Sequence, residues 1–220
     1  MMTLKTRINL KLKIPKNKPT LESDIKNIND ISKIPRNSIS KITENIYISG
    51  YLIGRDIPYL KKNKFTHVIN CSQGSSLSNS TQEVDKNRDL SKIYSENNIK
   101  YLSLFLRDDP ELDIFYHFFQ VIQFLECKAD YTNKKILFHC IEGISRAPTM
   151  VAGYLMWKKK LKNTEVIDLI KSKRNCIDIN LGFNIQLHKW ENYLISLKKK
   201  FNDFNNIVDS NDNVVLLVKE

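Results

Sequence analysis

The chain has 220 residues, 41% of them hydrophobic, and carries a formal net charge of +11. A chain of this length and composition is expected to bury one main globular core. No apolar stretch approaches the roughly 18 residues that a membrane span needs, and the four cysteines have neither zinc-site spacing nor the density of a disulfide-rich secreted protein. Lysines are scattered along the whole chain, so we interpret the positive charge as a compositional bias rather than a nucleic-acid site. We therefore expect an intracellular protein, cytoplasmic or nuclear.

The two ends of the sequence predict extensions around a central domain of residues 41–200. Residues 1–40 form a basic segment in which apolar residues alternate with polar ones over positions 4–14, the period of a half-buried strand. The last ten residues, NDNVVLLVKE, are a second strand-like run within a tail of residues 201–220. Pairing of these segments with each other or with the main sheet is a hypothesis.

The central domain alternates predicted strands and helices. Short runs rich in β-branched and aromatic residues predict strands in ENIYIS, FTHVINC, YLSLF and KKILFH. Apolar residues at steps of three and four predict helices in DIFYHFFQVIQFLE, NTEVIDLIKSKR and FNIQLHKWENYLISLKKK. The serine-rich stretch 72–92 predicts a surface loop. This alternation predicts an α/β domain with a central, mostly parallel or mixed sheet flanked by helices.

One octet, HCIEGISR at residues 139–146, joins the last of these strands to a helix predicted near Pro148 in APTMVAGYLMWKKK. A short loop at a helix N-terminus exposes unpaired backbone N–H groups, and these attract an anion such as phosphate together with the helix dipole. Gly143 lets successive amides converge on one centre. This positive environment is expected to favour the thiolate of Cys140, which makes Cys140 a candidate nucleophile beside a bound phosphate.

Three neighbours of Cys140 complete the candidate site. The planar guanidinium of Arg146 can hold two phosphate oxygens at once, in the ground state and in the transition state. Ser145 is expected to donate its hydroxyl to the Cys140 sulfur, which helps that sulfur to leave in a second step. His139 could be a general base, but we favour a structural role in which its imidazole hydrogen-bonds the loop, because a thiolate needs no base.

The pattern His-Cys, five residues, Arg is that of the cysteine-dependent protein tyrosine phosphatases, and HCIEGISRAP resembles their dual-specificity branch. Two more segments, ITENIYISGYLIGRDIPYLKKNKFTHVINCS and KSKRNCIDINLGFNIQLHKWE, are similar to the opening and the closing of that family's catalytic domain. The resemblance covers residues 41–198. It implies the family's fold, hydrolysis of phosphoric monoesters without a metal or other cofactor, and a phosphate loop. That loop consists of Ile141, Glu142, Gly143, Ile144, Ser145 and Arg146.

The resemblance also implies a general acid on a separate loop, because an alkoxide or phenoxide leaves poorly unless it is protonated. The candidates lie in YLSLFLRDDPELDI, after a predicted strand and before a predicted helix. On the family pattern Asp108 takes the acid position, Asp109 is the second choice, and Asp113 is the helix N-cap. In the implied cycle Asp108 protonates the leaving oxygen while Cys140 becomes a phosphocysteine, and Asp108 then deprotonates the attacking water.

Two residues at the end of FTHVINC are expected near the phosphate loop, because strand ends of the same polarity gather at one edge of such a sheet. By resemblance, Asn70 hydrogen-bonds the loop. Cys71 is either a small buried hydrophobe or a redox partner that forms a reversible disulfide with Cys140.

The predicted function is that of a dual-specificity phosphatase whose partner is a phosphorylated protein substrate carrying phosphotyrosine, phosphoserine or phosphothreonine. The chain lacks the Trp-Pro-Asp acid loop of tyrosine-specific members, which favours a shallower pocket. Two alternatives stay open. A phosphatase of a non-protein phosphoester is disfavoured because the loop carries Glu142 and no lysine, and a non-catalytic phospho-binding scaffold is disfavoured because Cys140, Arg146 and Asp108 are all present. The oligomeric state also stays open.

Overall fold

The computed structural model of the protein describes residues 38–72, 90–127 and 133–210, which all belong to one compact unit, Pro35–Glu220. Both strands predicted at the termini lie outside these residues. The elements in chain order are β1 (Ile39–Lys41), β2 (Ile46–Ser49), α1 (Tyr51–Gly54), α2 (Ile57–Lys62), β3 (His67–Asn70), α3 (Leu90–Glu96), β4 (Lys100–Ser103), α4 (Phe115–Glu126), β5 (Ile136–His139), α5 (Arg146–Lys159), α6 (Asn163–Lys173) and α7 (Leu181–Ser210).

The four strands predicted in the central domain are present as β2 to β5, and the predicted helices are present as α4 to α7. The differences concern boundaries and short elements. The short helices α1 to α3 are not among the helices predicted from apolar spacing, and α3 begins at Leu90, inside the stretch 72–92 predicted as a surface loop. Helix α5 begins at Arg146, two residues before the expected start at Pro148. Helix α7 continues to Ser210, so the domain boundary predicted at residue 200 falls inside a helix. Strand β1 has only three residues, which is too short to produce a periodic signal in the sequence.

The described strands form one sheet in the order β1-β2-β5-β3-β4, which confirms the predicted mixed, mostly parallel arrangement. Strand β1 is antiparallel to β2, and all other neighbours are parallel. Ser49, His139 and Asn70 are in register at the ends of β2, β5 and β3. Because parallel strands end at the same edge, the segments that follow these three residues meet there.

Helices cover both faces of the sheet, since side chains alternate between the faces along each strand. Ile69 and Phe138 belong to the larger core, together with buried side chains of α4 to α7. Val68 and Leu137, one position earlier in each strand, pack in a second cluster with α2 and α3. The sheet is therefore the middle of three layers, as expected for an α/β domain.

Helix α5 is the central helix of the larger layer. Its residues from Arg146 to Met156 are all buried, so it has no polar face. A Cβ added at Gly153 would lie 2.2 Å from the ring of Phe118 in α4, which shows how closely the two helices approach. From α7, the indole of Trp190 donates to the Gly153 carbonyl at 2.9 Å. These contacts fix the position of the helix whose N-terminus faces the carboxyl edge of the sheet.

Candidate active site

The loop between β5 and α5, residues 140–145, forms the centre of the site. All four of its carbonyls from residue 141 to residue 144 accept hydrogen bonds from donors outside the loop. The donors are Tyr51 N to Ile141 O (3.1 Å), Arg174 Nη2 to Glu142 O (3.0 Å), Arg174 Nε to Gly143 O (2.7 Å) and Asp178 N to Ile144 O (3.0 Å). A trans peptide places its N–H opposite its carbonyl. Because the carbonyls face outward, the following N–H groups face the centre of the loop.

Cys140 lies at this centre, with only 2% of the residue exposed. Its Sγ accepts a hydrogen bond from the Gly143 N–H at 3.1 Å. Gly143 has a φ of +72°, a conformation that residues with a Cβ rarely adopt. A Cβ there would also lie 2.6 Å from the Ser49 carbonyl oxygen. Both observations agree with the role that the sequence predicts for this glycine.

The loop between β4 and α4 brings Asp108 onto the phosphate loop. Asp108 Oδ1 accepts a hydrogen bond from the Ser145 hydroxyl at 2.7 Å and another from Asn180 Nδ2 at 2.8 Å. Its Oδ2 lies 3.5 Å from Arg146 Nε. The Asp108 side chain is 38% exposed, so solvent screens this ion pair, but the two hydrogen bonds fix where the carboxylate lies.

The bond from Ser145 to Asp108 corrects one sequence prediction. Ser145 was expected to donate to Cys140 Sγ, and in the structure its hydroxyl donates to Asp108 instead. A hydroxyl has one proton, and a carboxylate oxygen is a stronger acceptor than sulfur. The sulfur receives its hydrogen bond from the Gly143 amide.

The carboxylates of the other two acidic candidates accept hydrogen bonds from backbone N–H groups two positions further along the chain. Asp109 Oδ1 accepts from the Glu111 N–H at 3.0 Å, which is a turn contact, and Asp113 Oδ1 accepts from the Phe115 N–H at 2.9 Å at the start of α4. Neither bond reaches the phosphate loop. The geometry therefore favours Asp108 over Asp109 as the candidate acid.

Arg146 is the first residue of helix α5 and is 5% exposed. Its Nη1 donates to the Leu106 carbonyl at 3.2 Å, so the acid loop and the guanidinium position each other. Cys140, Asp108, Ser145 and Arg146, which come from two separate segments of the sequence, thus form one site.

His139 is 1% exposed. Its ring faces α1, where a Cβ on Gly54 would lie 2.4 Å from it. Burial lowers the pKa of His139 to about 3, and the charge of Arg55 lowers it further, whereas the Cys140 backbone raises it. His139 is therefore neutral in the folded protein. The structural role predicted for it, a hydrogen bond to the phosphate loop, stays a prediction.

The end of β3 lies beside the loop, as expected. The Cys71 N–H donates to the His139 carbonyl at 2.7 Å. Burial raises the pKa of the Cys71 thiol well above its ordinary value, with Cys140 adding to the effect and Arg146 opposing it. Asn70 donates to the Tyr101 hydroxyl at 3.0 Å and accepts from the Ser72 N–H at 3.0 Å. The predicted bond from Asn70 to the phosphate loop stays a prediction, as does the redox role of Cys71, whose thiol is free.

Two residues of the site, Asn180 and Arg174, were not singled out from the sequence. Both lie in the segment KSKRNCIDINLGFNIQLHKWE, which carried the resemblance without a role for either residue. Asn180 reaches across to Asp108, and Arg174 binds two loop carbonyls from outside. The sequence around Arg174 carries no local signal for this role, because its burial and its partners are set by the fold.

Within residues 38–72, 90–127 and 133–210, no group of three or more His, Cys, Asp or Glu side chains could hold a metal ion. Over the same residues, no helix has the length and apolar character needed to cross a bilayer.

A helix N-terminus with convergent amides, a buried thiol and a guanidinium is a site shaped for a tetrahedral oxyanion. The family model for the dual specificity phosphatase catalytic domain matches residues 46–193, more than half of the chain. The chain belongs to this family, which confirms the resemblance found in the sequence.

Relatives and solved structures agree with this assignment. Protein-tyrosine-phosphatase MKP1 of Arabidopsis thaliana is 30% identical over 148 residues, 67% of this chain, but this stretch is only 17% of the Arabidopsis protein. Dual specificity protein phosphatase 22 of Homo sapiens is 28% identical over 158 residues, which cover 71% of this chain and 76% of the human protein.

Two crystal structures show the same fold. A mouse putative dual specificity phosphatase complexed with zinc tungstate has a TM-score of 0.60 at 20% identity, over 76% of this chain and 93% of the mouse chain. PTPMT1 in complex with PI(5)P has a TM-score of 0.58 at 19% identity, over 73% of this chain and 98% of its own. These likenesses confirm the predicted fold class.

Proposed function

We propose that the protein is a phosphatase that hydrolyses phosphotyrosine, phosphoserine and phosphothreonine in protein substrates through a phosphocysteine intermediate. The observation that carries the proposal is the convergence of Cys140, Arg146 and Asp108 around one loop whose amides face inward. Family membership and the name of its human relative, dual specificity protein phosphatase 22, support the class of substrate.

The geometry supports a role for each group in the first step. The Cys140 thiolate attacks phosphorus, the loop amides and the Arg146 guanidinium bind the equatorial oxygens, and the bond to the leaving oxygen breaks. Asp108 supplies the proton that the leaving oxygen needs. The hydrogen bonds that Oδ1 accepts from Ser145 and Asn180 hold the carboxyl group beside the phosphate loop for this transfer.

In the second step, Asp108 takes a proton from a water molecule that attacks the phosphocysteine, and the Cys140 sulfur leaves as a thiolate. The N–H of Gly143, 3.1 Å from Sγ, is placed to stabilise the charge on the leaving sulfur. Ser145 contributes by holding the Asp108 carboxylate over the loop.

The test is hydrolysis of an aryl phosphate, with a chelator present, by the wild type, Cys140→Ser, Asp108→Asn and, as a control, Lys173→Met. We expect no turnover with Cys140→Ser, a reduction of roughly 100-fold or more with Asp108→Asn, and wild-type activity with Lys173→Met, whose side chain is exposed. Acid quenching of wild-type turnover should give a phosphoryl group on the Cys140 peptide by mass spectrometry. Full activity of Cys140→Ser would refute the mechanism.

Substrate class is tested separately with phosphopeptides and with phosphoinositide vesicles. The loop supplies Glu142 and no lysine, which disfavours a substrate with additional phosphates. We expect phosphopeptides to be hydrolysed at the higher kcat/KM. Preference for the vesicles would instead favour a non-protein phosphoester, and binding without hydrolysis in either case would favour a phospho-binding scaffold.

A further inference from the structure

Arg174 binds the outer side of the phosphate loop, on the face away from the substrate. It follows α6 directly, and the residue is 2% exposed. Its Nε donates to the Gly143 carbonyl at 2.7 Å and its Nη2 donates to the Glu142 carbonyl at 3.0 Å. One side chain therefore binds two of the four loop carbonyls that face outward.

Each of these two bonds fixes one peptide plane. The Glu142 carbonyl shares its peptide with the Gly143 N–H, and the Gly143 carbonyl shares its peptide with the Ile144 N–H. The first of these N–H groups donates to Cys140 Sγ at 3.1 Å. The guanidinium is thus connected to the sulfur through a single rigid peptide, the one whose N–H donates to Cys140 Sγ.

The third nitrogen of the Arg174 guanidinium, Nη1, contacts β1 and the residue before it. It donates to the hydroxyls of Ser38 and Ser40, at 3.1 and 3.2 Å, and lies 3.4 Å from the Ser38 carbonyl. Residues two positions apart in an extended chain face the same side, which explains why both serines meet one guanidinium. Strand β1 ends at Lys41, before the range 46–193 that the family model matches. The N-terminal strand therefore takes part in holding the phosphate loop.

We propose that Arg174 is a positioning residue that sets the direction of two phosphate-loop amides and is itself oriented by Ser38 and Ser40. The inference rests on the proposed function, because it concerns the loop that holds Cys140. Arginine suits the position because its planar fork donates in several directions at once, whereas a lysine ammonium is a point charge.

The test compares Arg174→Met, Arg174→Lys and the exposed neighbour Lys173→Met, each checked for folding by circular dichroism and thermal melting. The readouts are kcat and KM for an aryl phosphate, binding of orthovanadate, and the rate at which iodoacetamide alkylates Cys140 at fixed pH. For Arg174→Met we expect kcat and vanadate affinity to fall by about tenfold or more, with a smaller change in KM, because misdirected amides weaken transition-state binding most.

Arg174→Lys separates charge from hydrogen-bond geometry. We expect it to restore most of the alkylation rate, which depends on positive charge near the sulfur, and to leave vanadate affinity low, because an ammonium cannot bind both carbonyls and both serines. A folded Arg174→Met protein with wild-type vanadate affinity and alkylation rate would overturn the proposal.

If Arg174→Met does not fold, the double variant Ser38→Ala/Ser40→Ala decides the question. It removes two acceptors of Nη1 and leaves the loop bonds in place, so a fall in vanadate affinity of about two- to fivefold supports the proposal, and no change overturns it. Vanadate binding and alkylation need no turnover. If the wild type binds vanadate without hydrolysing phosphate, the proposed function fails while the inference about Arg174 can still be judged.

Discussion

Replacement of Gly182 by alanine should displace the acid loop. Gly182 lies at the start of α7, and a Cβ built there would be 1.8 Å from the Pro110 carbonyl oxygen. Ordinary contacts begin near 3.4 Å, so Pro110 must move by about 1.6 Å. The loop cannot move as a whole, because Gln186 binds both the Leu112 carbonyl and the Ile114 N–H. The displacement therefore falls on the residues next to Asp108.

The size of the effect follows from this displacement. A shift of about 1 Å at a reacting group can cost roughly 100-fold in rate, so we expect Gly182→Ala to lower kcat by about that factor for phenyl phosphate. The loss should be smaller for 4-nitrophenyl phosphate, whose leaving group needs less protonation. Alanine favours a helix by up to about 1 kcal/mol over glycine, an amount too small to offset a Cβ that would lie 1.8 Å from a backbone oxygen.

The assay is steady-state hydrolysis of a series of aryl phosphates, with melting curves for each protein. Leu181→Ala is the matched control, because Leu181 is 73% exposed and lies in the same helical turn. Vanadate binding should be retained in Gly182→Ala, since the phosphate loop itself is unchanged. A kcat within about threefold of the wild type for every leaving group would refute the reasoning, because a misplaced acid must affect the poor leaving groups first.

Two further predictions concern pH and oxidation. The pKa of His139 is lowered to about 3 from an unfolded value near 6.5, so the unfolded chain binds the proton more readily. This residue's contribution to stability is therefore complete above about pH 7.5 and falls by about 2 kcal/mol between pH 7.5 and pH 5. His139→Gln should flatten the melting temperature over that range, and an unchanged acid slope would contradict the assignment. Under mild peroxide, Cys140 should form a sulfenic acid that condenses with the Cys71 thiol to a disulfide, with loss of water. Added thiols should then restore activity to the oxidised wild type but not to oxidised Cys71→Ser. A Cys140 sulfinate without a Cys71–Cys140 disulfide in the wild type would contradict this prediction.

The parts of the site that could be predicted are those with a local signal. Cys140 and Arg146 lie six positions apart around a glycine, between a buried strand and a helix, and this arrangement follows from chain-local geometry. Asp108 was assigned by laying the acid loop on a family pattern, and the structure places it on the phosphate loop. The sheet could be predicted for the same reason, because its central strands are short runs with clear apolar periodicity.

The parts that could not be predicted depend on pairs of residues far apart in the chain. Asn180 and Asp108 are separated by 72 positions, and Arg174 and Ser38 by 136. A sequence motif identifies the donors and acceptors that are present, but it does not predict which of them form hydrogen bonds with each other in the fold. Ser145 illustrates this: its hydroxyl was expected to donate to sulfur, and the fold brings the stronger acceptor Asp108 within 2.7 Å.

The source of positive charge for a Cys140 thiolate also follows from the fold. His139 precedes the cysteine, yet its ring points to the opposite side of β5 and burial keeps it neutral, so it supplies no charge. The two arginines beside the phosphate loop are Arg146, the first residue of α5, and Arg174, which directly follows α6 and donates to two loop carbonyls. Loss of either arginine should therefore slow Cys140 alkylation, and loss of the His139 imidazole should not. In the proposed mechanism, the positive charge beside Cys140 comes from arginines and amides, which hold their charge and direction across the physiological pH range.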